Sequence, residues 1–207
     1  MSERERRGGP LRVLFLIANT ARARERIDLV RAARLRDEIE DGEVHGAILV
    51  GPRRDTDPAT WSRLLRKWSG RADLVIVEGH GGCLTGHVSC IDPLPEYAIG
   101  TQESNWRPVH DANPEDRPAF GLVLLGSCNA ATHLDRIATF FASWQRFIAC
   151  AGVTHGGDVE RVYRPVLDAL TTEGIADTVP VRPWGQAAKV EAALRSWSVT
   201  SPKKLGN

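Results

Sequence analysis

Two short apolar runs in the chain each lead straight into a residue capable of covalent chemistry. Residues 74–77 (LVIV) run into Glu78-Gly79-His80-Gly81-Gly82, and residues 122–125 (LVLL) run into Gly126-Ser127-Cys128-Asn129. Continuous Val/Ile/Leu runs of this length mark parallel strands buried on both faces. In open α/β sheets the chemistry collects just past the carboxyl ends of such strands. If the two strands are neighbours, an imidazole and a thiol meet at one edge of the sheet. A thiol that attacks, with a histidine to take its proton, is the machinery of a cysteine hydrolase.

The settings of the two residues support that chemistry. Gly126 and Ser127 are small, so the chain can turn tightly before Cys128 and leave its amides facing outward. A thiol at the start of the following helix feels the positive end of the dipole and is shifted toward thiolate. Amides in such a turn can also hold a developing oxyanion. A free cysteine is more commonly a small buried apolar residue, so Cys128 draws its meaning from its partner. His80 is flanked by glycines, which remove steric cover from the ring and from the Gly81 amide. His155, in Thr-His-Gly-Gly-Asp after a third apolar run, is the alternative base. His45, His87, His110 and His133 read as loop or surface residues. The four cysteines (Cys83, Cys90, Cys128, Cys150) show no metal-ligand spacing, and the Gly-Gly pairs fit no nucleotide fingerprint. No metal and no cofactor are expected.

The elements that must position these residues alternate regularly. Strands are predicted at 11–18, 47–50, 73–77, 120–125 and 147–151, with a short sixth at 179–181. Helices are predicted at 27–40, from Asp57-Pro58 to near Gly70, at 130–143, 158–170 and 185–196. Repeated β-α-β alternation calls for an α/β fold, a mainly parallel sheet of about six strands with helices on both faces. Residues 81–119 form a connection too long to be passive, and such loops cover or line a site.

The bulk composition suits one domain. At 207 residues, 42% apolar and 26% charged, the chain is long enough to bury a core of its own. The formal net charge of +1 gives no reason to expect a nucleic-acid partner. Residues 1–36 carry ten arginines against four acids. Residues 1–10 read as a disordered charged leader, 11–197 as the domain and 198–207 as a polar tail. The run at 11–18 is too short for a signal peptide, is interrupted by Arg12 and follows the acids Glu3 and Glu5. No stretch is long enough to span a membrane. Reduced thiols in a cytoplasmic protein are the simplest reading of the cysteines.

With His80 and Cys128 in view, the chain resembles the caspase-like cysteine peptidases, the group of caspases, separases, gingipains and bacterial CHAT domains. The resemblance rests on LVIVEGHGG and LVLLGSCNAA, with 48 positions from His80 to Cys128. The opening LRVLFLIANTARARERIDLVRAARLRDEI and the later RFIACAGVTHGGDVERVYRPVLDAL fit it as well, so it spans roughly residues 11–172. It implies a three-layer αβα domain with a caspase-like sheet of six strands. It makes Cys128 the nucleophile and His80 the general acid/base, with the amides of Gly81 and Cys128 as oxyanion hole. The reaction would be peptide-bond hydrolysis through a thioester acyl-enzyme. The implied partners are a protein or peptide substrate and an activating or regulatory protein. The first substrate residue would be read at the ends of strands one, four and five. Those neighbourhoods hold Asn19, Arg22, Arg24, Gly126, Ser127, His155 and Asp158. Gly126 offers no side chain where caspases and legumains carry a polar or acidic pocket residue. Arg22 and Arg24 would suit an acidic substrate residue and Asp158 a basic one.

Two other readings compete with the peptidase. One is a glutaminase- or deglycase-like hydrolase in which Cys128 works with His155, although Ala130 stands where such enzymes favour glycine. The other is a non-catalytic binding module that keeps the fold and uses Cys128 as a structural thiol.

Overall fold

Alternating residues of each strand feed two different cores, and this sets the layering. The computed structural model describes residues 9–18, 23–57, 60–79, 117–126, 140–142, 145–150, 159–173 and 197–200, with the backbone alone at 23–28, 150, 173 and 197–200. The strands are β1 (Leu11–Ile17), β2 (Ala47–Leu49), β3 (Leu74–Glu78), β4 (Leu122–Leu125), β5 (Phe147–Cys150) and β6 (Trp197–Thr200). The helices are α1 (Ala23–Glu40), α2 (Trp61–Trp68) and α3 (Arg164–Glu173). Five strands run parallel in the order β2-β1-β3-β4-β5, and β6 pairs antiparallel with β5. The fold is α/β, as expected from the alternation.

On one face, Val13, Phe15 and Ile17 of β1 and Leu74 and Ile76 of β3 pack under α1 and α3. On the other, Leu14, Leu16, Val75 and Val77 pack under α2 and the phenylalanines Phe140 and Phe141. Both faces of β3 and β4 are therefore buried, which is why their sequences read as unbroken apolar runs. Trp61 is fully buried at the start of α2, and its ring N–H donates to Thr56 Oγ1 at 2.6 Å.

Several boundaries depart from expectation for local reasons. α1 starts four residues before the predicted 27, because Ala-Arg-Glu-Arg are all good helix formers. α2 ends where expected: Gly70, at φ +67°, supplies the left-handed turn that stops it. Residues 140–142, assigned to a helix by periodicity, form a turn in which Phe141 packs edge-on against Phe140 and Phe147. The segment predicted as one helix from 158 begins as a wide π-type turn, Val159–Tyr163, and becomes α-helical only at Arg164. Pro165 explains this: its ring cannot supply the N–H of a regular turn and crowds the preceding one. Ser198, Val199 and Thr200, assigned to the tail for their polarity, lie in β6. Ser198 and Thr200 alternate with Trp197 and Val199, the pattern of an edge strand. The predicted elements at 179–181 and 185–196 lie outside the described residues.

The sheet is pinned at its amino edge by a forked ion pair. Asp73 accepts from the Arg12 backbone N–H at 2.9 Å and from its guanidinium at 3.1 and 2.9 Å. Hydrogen bonding to Asp73 holds the Arg12 guanidinium above its ordinary pKa, against a smaller opposing effect of burial. A raised arginine pKa contributes stability that is lost only as pH rises through it, so this pair stays intact across the neutral range. Asp73→Ala is expected to cost about 1–3 kcal/mol in urea unfolding, since it strands an amide and a guanidinium together. Arg164 makes the matching tie on the α1/α3 face. Burial disfavours its charge, but bonds to Glu160 (2.7 Å) and to Glu38 of α1 outweigh this and raise its pKa.

Candidate active site at the carboxyl edge of the sheet

The chain turns from β1 outward to β2, then crosses back to place β3 on the other side of β1. This reversal makes the carboxyl ends of β1 and β3 a topological switch point, where ligands bind in open α/β sheets. Backbone hydrogen bonds carry the sheet past its regular strands here. Ala18 N–H donates to Glu78 C=O at 2.9 Å, Gly126 N–H to Val77 C=O at 2.8 Å and Thr56 N–H to Ile17 C=O at 2.8 Å. The Thr56 loop is held from behind by Arg36 of α1, whose guanidinium reaches Asp55 at 2.7 Å.

β3 and β4 are hydrogen-bonded neighbours with Val77 opposite Leu125. Along the chain, His80 follows Val77 by three residues and Cys128 follows Leu125 by three. His155 follows Ala149, the β5 residue opposite Leu125, by six. His80, Gly81, Ser127, Cys128, His155, Asp158, Asn19 and Arg22 all lie outside the described residues. Arg24 belongs to the first turn of α1, and Gly126 directly follows β4.

Two residues that sequence reasoning did not single out dominate the described part of this edge. Glu78 is the last residue of β3 and is only 7% exposed. It continues the alternation of Leu74 and Ile76, so its carboxylate lies on the α1/α3 face, where Tyr163 Oη donates to Oε2. Tyr163 is itself 1% exposed and sets its ring edge-on to Phe15 at 6.4 Å between centroids. Gly126 continues the alternation of Leu122 and Leu124 and therefore lies beside Glu78 on the same face. A Cβ on Gly126 would fall 2.9 Å from the Glu78 carboxyl carbon and would overlap both Glu78 Oε2 and Tyr163 Oη. The space of a side chain at 126 is thus already filled by a carboxylate from the next strand.

The signal for Glu78 was present in the sequence: an acid abutting four buried apolar residues has little solvent to turn to. Tyr163 carried no such signal, because only the turn before Pro165 aims it at the sheet edge. Chemically the pair is a buried carboxyl group, hydrogen-bonded by a phenol and set in apolar surroundings.

No protein-family model matches the chain, and no curated protein matches it significantly. Among the described residues, no three His, Cys, Asp or Glu side chains group as metal ligands. Among the same residues no helix is long and apolar enough to cross a membrane. A cavity of about 160 Å³ beside β2 is lined by Ile39, Ile48, Leu49 and Arg53, on the far side of β1 from Glu78. Its lining also includes Glu40, which pairs with Arg53 at 2.9 Å, and holds no histidine or cysteine.

Proposed function

We propose that the chain is a caspase-like cysteine endopeptidase of the CHAT type, acting in the cytoplasm as a regulated signalling or defence effector. Cys128 attacks the scissile carbonyl, and His80 takes the thiol proton and returns it to the leaving amine. The amides of Gly81 and Cys128 hold the oxyanion, and water then hydrolyses the thioester. The domain is read as the six-stranded, three-layer sheet of that group, with β6 as its antiparallel edge.

One observation carries the reading. β3 and β4 are adjacent parallel strands, and the histidine and the cysteine follow a register pair by the same number of residues. Neighbouring strands are about 4.8 Å apart, a spacing that suits an imidazole and a thiol working as a pair. His155 does not share that offset, which favours His80 as the base. The switch-point topology and a buried acid at the same edge are the further support, since polar groups gather where an α/β sheet does its chemistry.

The test is alkylation by an iodoacetamide-type probe at neutral pH, read by peptide mass spectrometry. Label should be confined to Cys128, lost in His80→Ala and retained in His155→Ala. Loss in His155→Ala alone would transfer the base role to His155. Equal slow labelling of all four cysteines would argue for the binding module.

A further inference from the structure

We infer that the outward face of α2 is a docking surface for the phosphate chain of a nucleic acid. The inference goes beyond the peptidase reading and stands without it, since it uses none of that reading's residues. Residues 58–72 carry four cations, Arg63, Arg66, Lys67 and Arg71, and no acid. All four are exposed. Arg63, Arg66 and Lys67 stand at i, i+3 and i+4 and so share one stripe of α2. Arg71 follows just past the helix, after the left-handed turn at Gly70. The chain's net charge of +1 averages over this local excess.

The charge is not answered from within the protein. Among the described residues, none of the four cations makes an ion pair or a side-chain hydrogen bond. The acids that bracket the stretch are engaged: Asp73 holds Arg12, and Asp57 has contacts of its own. Arg66 lies 5.8 Å from the centre of the Phe140 ring and Lys67 5.7 Å from that of Trp68. Such contacts steady a cation and leave its N–H donors unused. Helix stability does not account for the pattern either. The dipole favours Arg66 and Lys67 in the last turn. Arg63 stands in the first turn, at the positive end, and four residues before a like charge, and both placements are unfavourable.

The apolar residues of α2 decide what can dock. Trp61 and Leu65 are buried, and Leu64 and Trp68 pack against the same core. No apolar side of the helix is left to enter a lipid surface. A protein partner would want a desolvated aromatic or aliphatic anchor at the centre of the contact, and this stripe offers only charge. A phosphate chain needs no such anchor, because its affinity comes from cations that displace condensed counterions. Three of the four cations are arginines, whose planar fork meets phosphate oxygens two at a time.

The experiment titrates the full chain into a short fluorescein-labelled single-stranded RNA and, separately, a duplex DNA, reading anisotropy between about 50 and 200 mM salt. For the single strand, log K should fall with log salt at a slope of about −2 to −3, as three or four phosphate contacts give. Arg63→Glu with Lys67→Glu should weaken binding on the order of 10-fold or more and flatten the slope by about 1 or more. Arg31→Glu with Arg34→Glu makes the same change of charge at exposed positions of α1, across the sheet, and should bind close to wild type. Which of the two probes binds more tightly identifies the source of the phosphates. No binding of either probe at low salt would overturn the inference. So would equal loss in the two double variants, which would reduce the effect to overall charge. Tighter binding to polyglutamate or to phosphatidylserine vesicles would overturn it as well, in favour of an acidic protein or a membrane. Arg63→Gln with Lys67→Gln repeats the comparison without reversing charge, so a folding defect in the first variant leaves the test intact.

Discussion

Cys128→Ala is expected to abolish peptide hydrolysis, with a loss on the order of 10⁴-fold or more, while leaving thermal unfolding within a degree or two of wild type. The size follows from the chemistry: without the thiolate no acyl-enzyme forms, and only the oxyanion hole and substrate binding remain to favour attack by water. His80→Ala should fall to a similar level, because residues that act as one unit do not add their effects. His155→Ala should stay within a few-fold of wild type. Hydrolysis rates measured beside unfolding curves check all three. A Cys128→Ala protein that keeps its activity would refute the mechanism. One that unfolds would show that the thiol is part of the core.

Gly126→Ala is expected to destabilise the protein by about 3 kcal/mol or more in urea unfolding. An added methyl has no free volume, since it would overlap the Glu78 carboxylate and the Tyr163 hydroxyl at once. Overpacking of a fixed site costs about 1–3 kcal/mol. Pushing the two groups apart also breaks their hydrogen bond and leaves buried polar atoms unsatisfied, at about 1–3 kcal/mol more. Neither group can yield cheaply, because one is the end of a central strand and the other is buried against Phe15. Adding Glu78→Ala to the Gly126→Ala background should recover part of the loss, giving a coupling energy that a double-mutant cycle reads directly. A cost below about 1 kcal/mol would mean that the carboxyl group moves aside freely, contrary to the close packing seen at this edge.

Much of the fold was legible because each buried strand imposes its own composition. Residues 74–77 and 122–125 are apolar at every position, and both lie in strands with two buried faces. Gly70 stopped α2 for a conformational reason that needs no tertiary context. Other elements were not legible because their form depends on neighbours. Residues 140–142 have helical composition, yet Phe140 and Phe141 turn to fill the core under α2. Ser198 and Thr200 are polar, yet they pair with β5 because an edge strand needs only one face covered. The π-type turn before Pro165 follows from proline chemistry, but what it aims at the sheet edge does not.

The same division runs through the candidate site. By itself the sequence determined the chemistry available: a thiol and an imidazole, each following a strand-forming run, with small residues around them. It also determined that both runs would be parallel strands, since burial on two faces leaves an unbroken apolar pattern. Only the tertiary structure decided that β3 and β4 are neighbours, and in what register, because strand order is set by crossover connections that leave no local trace. Only the tertiary structure brought Glu78, Gly126 and Tyr163 together, residues separated by 48 and 37 positions in the chain. Contacts of that kind carry no periodicity for a sequence to reveal, because the residues that make them meet only after the strands and the turn after β5 have packed together.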